Sequence, residues 1–239
     1  MRGLLLIVGI TIALPSMALS AAINCHTSEI MKCVDLGVDW FISLPKRSIP
    51  VTVTDVDNMC DNLEKAFECA HKYLDTCLTP MQKEVVDLAV EGVEEFRYQF
   101  CSKGSPQRSR YEAHSECLNQ VAQLDEVKDH IEYFLAVLEN INSIENEKKL
   151  MYGCCGYAKG YNIMQDLVKS KCGEETAQAD RELLGMIFAQ LPDVLCNGFT
   201  GNEDRCKAVL PPDGTKPTNA LKGTALYDYV RHALQKWID

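Results

Sequence analysis

Beyond its first twenty residues the chain has no apolar run near the roughly 18 residues of a helical membrane span. Basic residues are in deficit: 24 Lys and Arg stand against 34 Asp and Glu, a net charge of −10. Such a surface repels nucleic acid and anionic membranes. The two basic clusters, Lys46-Arg47 and Lys103 to Arg110, lie among Pro and Ser and read as solvated loops. No Asn-x-Ser/Thr acceptor occurs, so N-glycosylation is not expected. No Cys-x-x-Cys or His-Glu-x-x-His spacing offers ligands for zinc. Gly-x-Ser-x-Gly, phosphate-loop and dinucleotide-loop patterns are also missing. Asp55 to Asp61 lacks the turn glycine and closing glutamate of a calcium loop. The histidines are scattered; His71 and His130 read as exposed positions on helix faces. From these absences no catalytic residue, metal or cofactor is expected.

What the chain does have is cysteine, twelve of them, all downstream of a leader-like segment. Arg2, the apolar stretch Leu4 to Leu14 and the small residues Ala18 and Ser20 have the pattern of a secretory signal peptide over 1–20. The C-terminus shows no hydrophobic tail, so a lipid anchor is not expected. Export to an oxidising compartment and a full set of disulfides are mutually consistent readings. Cys60, Cys77 and Cys101 are 17 and 24 residues apart, and Cys155, Cys172 and Cys196 repeat that spacing. A frame repeated after 95 residues reads as an internal duplication. The expected organisation is a signal peptide (1–20) and two helical cysteine-rich units (21–103 and 104–206). A loop and a C-terminal amphipathic helix (207–239) follow.

Hydrophobic periodicity is helical throughout, and the expected fold is all-α, a disulfide-stapled helical bundle. Helices are predicted from Thr27 or Ser28 to about Leu44 and from Thr54 or Asp55 to about Cys77. Thr79-Pro80, a cap followed by proline, opens the next, to about Phe100. Further helices are predicted over about 108–121, 124–141, 145–172, 174–196 and 224–238, with Gly173 as punctuation and Pro192 as a bend or stop. In the 124–141 segment Ile131, Phe134, Leu135 and Leu138 form the apolar stripe. Val51-Thr52-Val53 is the one strand-like scrap.

The cysteine spacing suggests pairings. Cys25 and Cys33 are eight apart, as are Cys69 and Cys77. Antiparallel helices would place Cys33 opposite Cys69 and Cys25 opposite Cys77. Cys60 and Cys101 lie at near-mirror positions about Thr79-Pro80. Helix axes about 8–10 Å apart allow facing cysteines to bond. Transfer of the pattern to the second unit gives Cys117–Cys172 and Cys155–Cys196, leaving Cys154–Cys206 to tie down the 197–223 loop. Cys33 and Cys69 have no counterparts there, as expected of a pair lost together. The adjacent cysteines occur in secreted phospholipases too, but Gly156-Tyr157 stands where those enzymes need His-Asp.

The segments Cys154-Cys155, Cys172-Gly173-Glu174-Glu175, Cys196 and Cys69-Ala70-His71-Lys72-Tyr73-Leu74-Asp75-Thr76-Cys77-Leu78-Thr79 carry a resemblance. They resemble the arthropod secreted proteins of the 27 kDa haemolymph glycoprotein family. The resemblance implies an extracellular, helical, haemolymph- or secretion-borne protein. The leading functional expectation is a non-enzymatic carrier of a small apolar ligand held between helices. Phe96, Phe134, Leu138, Tyr161 and Trp237 are the residues expected to line its cavity. The alternative is a secreted interaction factor that engages a receptor through an exposed apolar patch. A hydrolase would require His, Asp and Ser side chains converging in a cleft.

Overall fold

The structure is a computed structural model that describes residues 25–45, 48–188 and 195–218. Its elements are α1 (Thr27–Ser43), α2 (Val53–Cys77), α3 (Pro80–Cys101), α4 (Pro106–Ala122), α5 (Asp125–Asn140), α6 (Asn146–Phe188) and a short α7 (Asp204–Lys207). A 3-10 turn, Ile141–Ser143, follows α5. The fold is all-α and disulfide-rich, and no strand occurs among the described residues.

Local chemistry sets the helix starts. Thr79 accepts from the Gln82 amide while Gln82 reaches back to the Thr79 amide, with Pro80 in the first turn. Thr52 and Asp55 form the same reciprocal cap on α2. Thr52 therefore opens the helix ahead of Thr54 or Asp55, and the strand-like Val51-Thr52-Val53 is its extended lead-in. Ser105 caps α4, which begins at Pro106 and not near 108. The predicted loop after 197 contains α7.

Gly173 interrupts α6 at φ +85° and ψ 172°, a combination that glycine alone adopts without strain. The element is thus a helical hairpin with arms over 146–172 and 174–188. Its arms are joined by Lys169–Glu174, 2.6 Å, and by Gln165 donating to Asp180, 2.6 Å.

Each half contains an antiparallel pair of helices held from several sides. Cys25–Cys77 and Cys33–Cys69 clamp α1 to α2, and the Tyr73 hydroxyl donates to the Cys25 carbonyl. Cys60–Cys101 closes α2 on α3. In the second half Tyr152 on the first arm of α6 donates to the Val137 carbonyl of α5, 3.0 Å. Burial pushes that phenol up to about 12. Cys117–Cys172 ties α4 to the end of this arm. The first three of these bridges follow the register arithmetic, and Cys117–Cys172 follows the frame transferred from the first unit.

The remaining two differ from the predicted pairing. Cys154 joins Cys196, and Cys155 joins Cys206. Neighbouring helical residues project about 100° apart. Cys155 is fully buried in a cluster with Tyr133, Val137, Tyr152, Cys206 and Leu210. Cys154 instead faces the chain at Leu195 and Cys196, its sulfur 3.5 Å from the Leu195 carbonyl. The segment between the two partner cysteines lies tight against α6. A Cβ at Gly201 would come within 2.4 Å of the Lys159 amide nitrogen. All six bridges span Cα distances of 5.1–5.9 Å.

The largest hydrophobic core draws on both halves. Val56 and Cys60 come from α2, Phe96 and Phe100 from α3, Tyr111 and Leu118 from α4, and Val168 and Ala177 from the two arms of α6. Arg108 enters this layer almost fully buried, paired with Asp57 at 2.8 Å and Glu112 at 2.7 Å. Along α5 the predicted stripe is only partly right. Leu135 is fully buried, whereas Phe134 is 38% exposed. Tyr133 and Val137 pack on α6, while Leu135 packs beside Ala122, Phe41 and Ile49. Two packed faces leave Phe134 between them at the surface.

Candidate ligand cleft

The linker between α1 and α2 forms one wall of the site. Tyr111, Ser115 and Asn119 recur every four residues on α4, so they share a stripe. The Tyr111 hydroxyl donates to the Pro50 carbonyl at 2.6 Å and Ser115 to that of Val51 at 3.2 Å. The Ile49 amide donates to Asn119 Oδ1 at 3.1 Å. An otherwise irregular segment is thereby fixed along α4, with Pro50 buried. Burial raises the Tyr111 phenol above its ordinary value, and the nearby Asp180 and Asp55 charges add to this.

Beside this wall lies a cleft of about 560 Å³. Ile49 and Pro50 line it from the linker, and Phe96 and Phe100 from α3. Val127, His130, Ile131 and Phe134 line it from α5. The first arm of α6 contributes Tyr157, Gly160, Tyr161, Met164 and Val168, whose spacing of three and four residues defines one helical face. The second arm contributes Asp180, Leu183 and Leu184. Aromatic pairs shape the lining. Phe96 stacks on Phe100 at 4.7 Å between centroids, Phe100 meets Tyr111 edge-on at 5.2 Å, and Tyr157 stacks on Tyr161 at 5.8 Å. At Gly160 an added Cβ would meet nothing within 4 Å, so this position faces open space.

Among the described residues of the lining Asp180 is the one carboxylic acid, and no Lys or Arg joins it there. The buried Gln165 amide donates to Asp180 Oδ2 at 2.6 Å. Arg181 donates to Glu174 at 2.8 Å and to Gln165 Oε1 at 3.5 Å. Burial raises the Asp180 carboxyl above the usual range, opposed by the Gln165 hydrogen bond and the Arg181 charge.

Of the residues expected in a cavity, Phe96, Phe134 and Tyr161 line this cleft together. Leu138 does not: it is half-buried one turn beyond Phe134 and outside the lining. Trp237 and the predicted 224–238 helix lie outside the described residues, as does the predicted signal peptide. His130, read from sequence as a solvated helix-face residue, is a partly buried lining residue. Asp180 belongs to no sequence motif. A signal for both exists in the periodicity: His130 shares a face with Val127, Ile131 and Phe134, and Asp180 with Ala177, Leu183 and Leu184.

Among the described residues no group of three or more His, Cys, Asp or Glu is placed to hold a metal ion. No described helix is long and apolar enough to cross a membrane. The chain matches no protein-family model, no curated protein and no solved structure.

Proposed function

We propose that this protein is an exported, non-catalytic carrier that binds a small apolar molecule in the cleft between α3, α4, α5 and α6. The observation that carries the reading is the cleft itself: about 560 Å³ of space with a mostly hydrocarbon and aromatic lining. That volume falls in the roughly 300–1,000 Å³ range of small-molecule sites. Six disulfides suit a chain that must persist in an oxidising, protease-containing fluid. The haemolymph-type cysteine frame is in keeping with the same setting. The large exposed apolar side chains, such as Leu36, Val53, Met81, Tyr98 and Leu150, are spread over α1, α2, α3 and α6. They offer little support for the receptor-binding alternative.

Native mass spectrometry of the unreduced protein, purified from its own source, tests the reading. A co-purifying adduct of molecular weight in the small-molecule range, released on denaturation, is expected. Gly160→Leu supplies the control, because its side chain enters open space and fills the cleft. The variant should keep its helical circular dichroism and lose at least about ten-fold in affinity for a neutral fluorescent probe, N-phenyl-1-naphthylamine, an effect of about 1.4 kcal/mol. Unchanged probe binding by Gly160→Leu would place the ligand elsewhere.

A further inference from the structure

We propose that the ligand is an apolar amine, its body in the aromatic cleft and its protonated amino group against Asp180. This inference rests on the carrier reading and adds the chemical class of the cargo. Among the described residues of the lining Asp180 holds the only formal negative charge, and no Lys or Arg is among them. Among the described residues its one hydrogen bond comes from Gln165 to Oδ2, which leaves Oδ1 to receive a donor from the cleft. Arg181, the adjacent cation, donates to Glu174 at 2.8 Å and to Gln165 Oε1 at 3.5 Å, with no hydrogen bond to Asp180 itself. An acid in an apolar wall is costly without a partner, so an entering ammonium gains both a charge and a hydrogen bond.

The aromatic faces favour the same head group. Phe96, Phe100, Tyr111, Tyr157 and Tyr161 lie in the same lining as Asp180, and aromatic faces attract cations. A fatty acid would bring a second carboxylate beside the first. An alcohol could donate one hydrogen bond but would leave the charge unbalanced. His130 also belongs to the lining. It stands on α5, and Asp180 stands on the second arm of α6.

Displacement of N-phenyl-1-naphthylamine from the full chain by decylamine, decanol and decanoic acid at neutral pH tests the assignment. These three share one hydrocarbon chain and differ only at the head. The amine should bind at least about ten-fold more tightly than the alcohol, and the acid most weakly. Asp180→Asn should bring amine and alcohol to within about two-fold while leaving the alcohol unchanged. Equal binding of amine and alcohol by the native protein would overturn the assignment while leaving the carrier reading intact. The same holds for a preference that survives in Asp180→Asn. Failure of the native protein to bind the probe or any of the three would instead overturn the carrier reading.

Discussion

Tyr111 does two things at once: its ring closes the cleft beside Phe100, and its hydroxyl holds the Pro50 carbonyl at 2.6 Å. Tyr111→Phe keeps the ring and removes the donor, leaving a buried carbonyl without its partner. The expected loss is about 1–2 kcal/mol, read as a lower urea midpoint with an unchanged slope. At this scale the sequence was a partial guide. Phe96, Phe134 and Tyr161 stand out as large apolar residues on helical faces. Asp180 and His130 share faces with apolar residues, but that signal is weak because polar residues on helices are usually solvated, and the fold is what puts both in the lining. Leu138 fails for the opposite reason: one turn past Phe134 the α5 stripe has already left the cleft.

Among the helical elements, the first arm of α6 carries the greatest constraint. It supplies one wall of the cleft, ends at the glycine turn, and anchors three bridges through Cys154, Cys155 and Cys172. Single substitutions distinguish the partners of its adjacent cysteines. In Cys154→Ser the thiol that reacts with an alkylating reagent, without reduction, should be Cys196. In Cys155→Ser it should be Cys206. Peptide mass spectrometry of the alkylated chain reads the answer, and the reverse result would restore the pairing inferred from spacing. That spacing identifies Cys25–Cys77, Cys33–Cys69 and Cys60–Cys101, because antiparallel register depends on chain length alone, and the repeated frame carries Cys25–Cys77 over to Cys117–Cys172. It failed at Cys154 and Cys155 because one residue changes little in length but turns a side chain by about 100°. Helix starts followed a similar division. Thr79-Pro80 announces itself, whereas Thr52 sits between two valines and resembles a strand until its cap with Asp55 is seen.

For the molecule as a whole, the repeated cysteine frame suggests two units, yet the core does not respect that division. Val56, Phe96 and Phe100 of one half pack in the same cluster as Tyr111, Leu118, Val168 and Ala177 of the other. Neither half buries these side chains alone. With its bridges intact the protein should therefore unfold in one transition, with calorimetric and van't Hoff enthalpies in agreement. Two resolved transitions would mean that the halves are separately stable. The all-α class was legible because helical periodicity recurs from one end of the chain to the other. The cleft's existence was not, since a void depends on where several faces fail to meet. The neighbouring positions of Cys154 and Cys155 also bear on how the protein is made. Exchanging their partners gives an isomer with the same mass, the same number of bridges and no free thiol. Intact-mass measurement and thiol titration would pass such a preparation as native. Chromatographic retention under non-reducing conditions, compared with protein from the natural source, is thus the purity criterion for any batch oxidised outside a cell.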